Sequence, residues 1–341
     1  MLKSGAIQGL ALAWLLCQVS GYDTGPTNEN IWDKGLVSPK TDYKSILQAQ
    51  GQYFEDVEQR NFAGTVLAFV TPWNSKGYDL AKTFAPKLSH VSPVWYQIRL
   101  GADRKVKLTG GHDADDAWVE AMHSRKTEGR PSVKVVPRLV IEVGMDEMVP
   151  VLMGIKDVSE LLIEEALAHN YDGWVFEPSM PGRPALNFAD WGALAKISDG
   201  VIVMTYDAAS PEKPGPNAPL DWTRGNLDAL LPAEHPHSPA VATKLLLGLN
   251  FFGNHYVAPS GGGPLIGREY CEVLQQHRPR LVWNDKAKEH VLEYVHGGER
   301  HSVYYPSASS IKERLDLAYE YGVGISIWEL GQGLDMFMDL L

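Results

Sequence analysis

From Gly64 onward the chain repeats one pattern, a short run of β-prone apolar residues followed by an amphipathic segment. The runs cover residues 66–70, 91–98, 133–141, 173–176, 201–205, 245–250 and 324–328. Each is apolar on both faces, as a strand must be when both sides of a parallel sheet are buried. Helix candidates at 158–168, 191–197, 222–231 and 311–321 fall between them, so strands and helices alternate in βα units. Units of this kind close into a barrel of ~250 residues, with the chemistry at the C-terminal ends of the strands. A doubly wound open sheet is the rival, but it calls for a Gly-rich turn after the first strand. Thr71-Pro72-Trp73-Asn74 stands there instead. The expected fold class is therefore α/β, a (β/α)8 TIM-barrel type domain over residues 61–341.

Three segments depart from the rhythm. The stretch before the last strand is too long for one βα connection, and apolar runs at 280–283 and 291–295 mark a small inserted subdomain over about 253–303. Residues 22–60 are polar and aperiodic, with Pro26, Gly35 and Pro39 as breakers, and read as an extended N-terminal arm. Residues 1–21 read as a secretory signal: Lys3 supplies the positive start, residues 10–17 the apolar run, and Val19, Ser20 and Gly21 small residues for cleavage. Cys17 would leave with that signal, and Cys271 is then expected to be a buried apolar residue.

Charge and spacing exclude several partners. A net charge of −11 with no Lys/Arg run argues against nucleic acid. No later run approaches ~18 apolar residues, so no membrane span is expected. No His or carboxylate cluster has ligand spacing, so neither a metal nor another cofactor is expected.

The strand ends carry Trp73 and Asn74, Trp95 and Tyr96, Glu142, Glu177, Tyr206 and Asp207, Phe251 and Phe252, then Trp328 and Glu329. Aromatic faces stack on sugar rings and carboxylates accept hydroxyl and amide hydrogen bonds, so such a ring suits a saccharide groove. An interior-filling Trp, an Arg-paired Glu or a loop-fixing Asp is the plainer reading of any one of them. In 172–177, side-chain alternation sends Asp172, Trp174 and Phe176 one way, and Val175 and Glu177 the other.

Tyr171-Asp172-Gly173, Met204-Thr205-Tyr206-Asp207, Leu247-Gly248-Leu249-Asn250-Phe251-Phe252-Gly253 and the terminal Trp328 resemble, in order, the strand motifs of glycoside hydrolase family 18. Val70-Thr71-Pro72-Trp73-Asn74-Ser75, Pro214-Gly215-Pro216-Asn217-Ala218-Pro219-Leu220 and the run from Gly322 to Asp335 resemble one group within it, the chitinase domain-containing or stabilin-interacting chitinase-like proteins. That resemblance covers nearly all of the chain after about residue 60. It implies a secreted or endolysosomal protein that recognises chitooligosaccharides or bacterial glycans, lipopolysaccharide included, in innate immunity. A scavenger or sorting receptor is a further implied partner.

Active family members carry Asp-Gly-x-Asp-x-Asp-x-Glu on the fourth strand, where the final Glu protonates the glycosidic oxygen and the substrate's own N-acetyl group is the nucleophile. Laid on this sequence, Asp172 and Gly173 match, the next Asp is Val175, the last Asp is Glu177, and the acid is Ser179. Glu177 sits two residues short of the acid position, on the order of 6 to 7 Å away. The resemblance thus implies saccharide binding by Trp73, Trp95, Tyr96, Glu177, Tyr206, Asp207 and Trp328 without efficient hydrolysis. Two alternatives stand beside it: a weak hydrolase using Glu177 with Asp207, and a receptor-interaction module with a vestigial groove.

Only 23 residues separate Glu177 from Val201, too few for the helix, strand and second helix that the family places there. One βα unit after the fourth strand is expected to be missing, leaving exposed pairing edges.

Overall fold

The computed structural model describes residues 22–341 except 102, 126–128, 142, 144–148, 150, 179–186 and 233–238. Residues 1–21, read above as a secretory signal, lie outside the described residues, as do Glu142 and Ser179.

Two short strands come first, β1 (Gly25–Thr27) and β2 (Gln52–Phe54), paired in parallel. The barrel strands follow: β3 (Val66–Val70), β4 (His90–Pro93) continued by β5 (Tyr96–Leu100), and β7 (Lys134–Val135) continued by β8 (Arg138–Ile141). Then come β9 (Val175–Pro178), β10 (Val201–Val203), β11 (Leu245–Asn250) and β17 (Gly324–Trp328). One sheet runs β10-β11-β17-β3-β4-β7, and a second runs through β5, β8 and β9, all of these pairings parallel. Among the described residues the path is that of a (β/α) barrel with seven strand positions.

Prolines explain why two positions are split. Pro93 and Pro137 have no N–H to donate, so the ladder breaks beside each and resumes after it. After the first break a short strand β6 (Val106–Thr109) pairs antiparallel with β5. The turn that follows it passes so close that a Cβ on Gly110 would lie 1.8 Å from the Trp95 carbonyl oxygen, at a φ of 96°. Only glycine fits there.

Alternation sorts the side chains. Leu67, Phe69, Val94, Val136 and Leu246 form an inner cluster with Val175, Ile202 and Trp328 packed against it. Val66, Ala68, Val70, Leu245, Leu247, Ile325 and Ile327 face the outer core under the helices. Helices Ile155–Ala168, Phe188–Ile197, Leu220–Leu230 and Ala308–Tyr321 follow their strands. The last is capped by Ser307, which accepts from the Ser310 N–H, and ends on left-handed Gly322.

Among the described residues no ladder joins β9 to β10. Each strand of this pair has one partner, β8 and β11 respectively. Phe176, which in a complete barrel would lie under a helix, is 56% exposed, and Met204 just past β10 is 60% exposed. These are the marks of an absent βα unit.

The segment read as an extended arm carries secondary structure and packs into the core. Besides β1 and β2 it forms a helix, Tyr43–Ala49, capped by Asp42, and it buries Ile31, Leu36, Ile46 and Leu47. Its anchor is remote in sequence: buried Asp339 accepts from the backbone N–H of both Ile31 and Phe54. Local periodicity carries no trace of such a contact.

Between β11 and β17 the chain builds a five-stranded antiparallel sheet, ordered β13 (Gly261–Leu265), β12 (Gly253–Ala258), β16 (Glu299–Tyr304), β15 (Glu289–His296), β14 (Leu281–Asn284). The helix Gly267–His277 lies in the same segment and buries Cys271, whose thiol is pushed up to about 12 by burial. Four histidines gather on this insertion. The Tyr294 ring stacks between His277 at 4.1 Å and His301 at 4.6 Å, His301 Nδ1 lies 2.8 Å from His255 Nε2, and His296 is edge-on to His277.

Burial and then the facing histidines lower His255 and His277 below the ordinary 6.5. A depressed histidine takes up protons first in the unfolded chain, so its contribution is intact above pH 6.5 and is lost as pH falls below that value. Calorimetry of the parent beside His255→Phe should therefore show the parent losing Tm relative to the variant as pH drops from about 6.5 to 5. A Tm difference between the two proteins that is the same at pH 5 as at pH 7 would refute it.

Candidate functional site

The inner face of the barrel converges on its mouth. Glu177, at the end of β9, points inward as alternation requires, and its Oε2 lies 2.5 Å from Arg138 Nε of β8. The Arg138 guanidinium also sits over the Trp328 ring, 5.6 Å from its centroid, and Trp328 packs on Phe69 at 5.2 Å. A guanidinium thus bridges a carboxylate and an aromatic face.

Tyr206 completes the group. Its ring meets Phe252 edge-on at 5.9 Å. Burial pushes its phenol above its ordinary value, the charges of Asp207 and Glu177 add to the push, and Arg138 opposes it.

Asp207 is held by its backbone. Its φ of 63° is left-handed, and its N–H donates to Asn217 Oδ1 at 2.7 Å. Asn217 and Ala218 in turn donate their N–H groups to buried Glu289, which pairs with Arg314 at 3.1 Å. The loop that presents Tyr206 and Asp207 is therefore tied through two hydrogen-bonded links to an ion pair that joins the insertion to the last helix. Burial raises the Asp207 carboxyl above its usual range.

Not every residue of the expected ring arrives. Trp73 is on the surface, 70% exposed. Trp95 and Tyr96 turn away from the groove, against expectation. Trp95 donates its indole N–H to the Tyr78 hydroxyl at 2.7 Å and packs on Trp118 and Tyr171. Tyr96 donates to Glu165 at 2.8 Å and shares a hydrogen bond with Tyr171. The strand break after Pro93 resets the alternation, and both rings fill the layer between sheet and helices. Phe251 is buried against Phe337 in that outer layer. Asp172 anchors the base of β9, accepting from the Val135 N–H at 2.8 Å and facing His123.

Arg138 was absent from the expected ring, yet it organises the mouth. Its signal was available: Arg138 is the cation nearer the strand's C-terminal end in the run 133–141, whose other cation is Lys134 at its start, and lying two residues from inward Val136 it has inward parity.

A model of the glycosyl hydrolases family 18 matches residues 155–333, just over half of the chain. The chain belongs to glycosyl hydrolase family 18. Among solved structures, this family 18 chain resembles a chitinase from Chromobacterium violaceum with a TM-score of 0.67 at 20% identity, covering 82% of this chain and 98% of that one. The spore cortex-lytic enzyme SleL of Bacillus cereus matches with a TM-score of 0.64 at 15% identity, over 81% and 73% of the two chains. A Cycas revoluta family 18 chitinase in complex with (GlcNAc)3 matches at 0.59 and 16%, over 81% and 98%. At such identities the likeness is one of fold.

Glu329, the residue after Trp328, is fully buried and serves the scaffold of this family 18 chain. Its carboxylate accepts from Asn74 Nδ2 at 2.8 Å and from the Gly331 N–H at 2.9 Å, and burial pushes it up to about 7. A raised carboxyl contributes stability that is present in full below about 4.5 and lost as pH rises through 7. Glu329→Ala should cost roughly 2–4 kcal/mol in urea denaturation by stranding two donors. Glu329→Gln should cost less and flatten that pH dependence; an Ala variant as stable as the parent would contradict the assignment.

Proposed function

We propose that this family 18 chain is a secreted or endolysosomal saccharide-binding protein that holds N-acetylglucosamine oligosaccharides or bacterial glycans at the barrel mouth without hydrolysing them efficiently. The carrying observation is the engagement of Glu177 by Arg138, together with Ser179 in the position where the family motif has its acid. A serine hydroxyl cannot supply a proton as a carboxylic acid does. Glu177 Oε2 is occupied by the guanidinium, and Oε1, which has no hydrogen-bond partner among the described residues, can accept from a sugar hydroxyl.

Trp328 offers an aromatic face beside that acceptor, with Tyr206 across the mouth. The Cycas revoluta chitinase structures hold (GlcNAc)3 and allosamidin, which supports a chitin-like ligand. The finer resemblance, to the stabilin-interacting chitinase-like group, supports a receptor partner for the same protein. A second reading rests on Asp207, whose raised carboxyl suits proton transfer, and makes the chain a weak hydrolase.

Isothermal titration with N-acetylglucosamine oligomers should show binding that Trp328→Ala weakens by about tenfold or more. A fluorogenic chitobioside should be cleaved no faster by the parent than by Asp207→Asn or Glu177→Gln. Absence of binding to any such oligomer or bacterial polysaccharide sinks the proposal, and a rate lost in both carboxylate variants establishes the hydrolase instead.

A further inference from the structure

At the opposite end of the barrel, where the strands begin, lies a pocket of about 190 Å³ lined by Arg60, His90, Arg125, Arg130, Ser132 and Lys134 among others. His90 opens β4 and Lys134 opens β7, whereas the mouth described above sits at the strand ends. The concentration of cations is unexpected in a chain of net charge −11.

These cations have no carboxylate at ion-pair distance among the described residues. Backbone carbonyls hold the arginines instead: Arg60 Nη2 donates to Gly64 at 2.8 Å, Arg125 Nε to Lys82 at 3.0 Å, and Arg130 Nη1 reaches Glu58 and Pro86 at 3.4 and 3.5 Å. Two polar atoms of the lining, Arg60 Nε and His90 Nδ1, are buried without a hydrogen-bond partner among the described residues. Unpartnered buried polar atoms are costly and rare in folded proteins.

The groups also act on one another. Burial and then the charge of Arg130 lower Arg60, while burial and then Lys134 lower His90, with the more distant Asp172 and Asp199 opposing. Like charges held together without a counterion, around a cavity and beside two unused polar atoms, describe a site for an anion.

We propose that this pocket binds a tetrahedral oxyanion, the phosphate of a small soluble phosphomonoester. Arginine presents a planar fork that matches phosphate oxygens, and three arginines converge here. The volume is below that of pockets for drug-sized ligands, ~300 Å³ and above, so it admits a phosphate with a small substituent. A phospholipid headgroup offers the same chemistry, but net negative charge opposes approach to an anionic bilayer.

The test uses the whole chain, titrated with inorganic phosphate and glucose 6-phosphate at constant ionic strength, with Tm and calorimetric affinity as readouts. Both ligands should raise Tm, and the exposed pair Arg125→Gln with Arg130→Gln should weaken their binding at least tenfold while leaving unliganded Tm and oligosaccharide affinity unchanged. Lys134→Gln, on a strand start, serves as a second variant and should weaken binding more modestly. Trp328→Ala should leave phosphate binding intact. The proposal is overturned if phosphate shifts Tm no more than chloride does, if neither variant reduces the shift, or if only phosphatidic acid vesicles bind.

Discussion

The ion pair between Glu289 and Arg314 is the join on which the upper half of the molecule rests. Arg314 lies on the last helix and donates to the backbone carbonyls of Ala218, Ala287, Lys288 and Ser310 as well as to Glu289. Glu289 opens β15 of the insertion and receives the N–H groups of Asn217 and Ala218. Burial raises the Glu289 carboxyl, and Arg314 together with those two N–H donors opposes the rise. Taking both charges out of water costs several kcal/mol per ion, which only complete hydrogen bonding offsets. Here insertion, last helix and rim loop each contribute part of that completion, so none of the three can shift alone.

Much of the barrel was legible because its strands obey one rule. Residues 66–70, 245–250 and 324–328 are apolar on both faces, and the strands occupy those bounds. The rule loses force where a proline interrupts the ladder. Across Pro93 the alternation restarts, and that sent Trp95 and Tyr96 outward although a simple count placed them at the rim. The N-terminal segment was illegible for another reason, since its order depends on Asp339, 308 residues from Ile31 and 285 from Phe54.

The mouth itself was half legible. Glu177, Tyr206, Asp207 and Trp328 follow from motif order and parity, and of these Glu177 and Trp328 meet on one guanidinium. Arg138 did not follow, because a cation inside an apolar run invites the reading of a surface residue. Its partnership with Glu177 and Trp328 is what converts a row of separate side chains into one arrangement.

Glu177 stands at the end of β9 and Tyr206 just past β10, on the two strands that no ladder connects among the described residues. The lips of the mouth are therefore set by the curvature of the whole arc of strands and by the Asn217 tether, with no sheet hydrogen bond between them to fix their spacing. A sugar touching both lips would act as a clasp on an open ring, fastening two free ends that in a closed barrel are already sewn together.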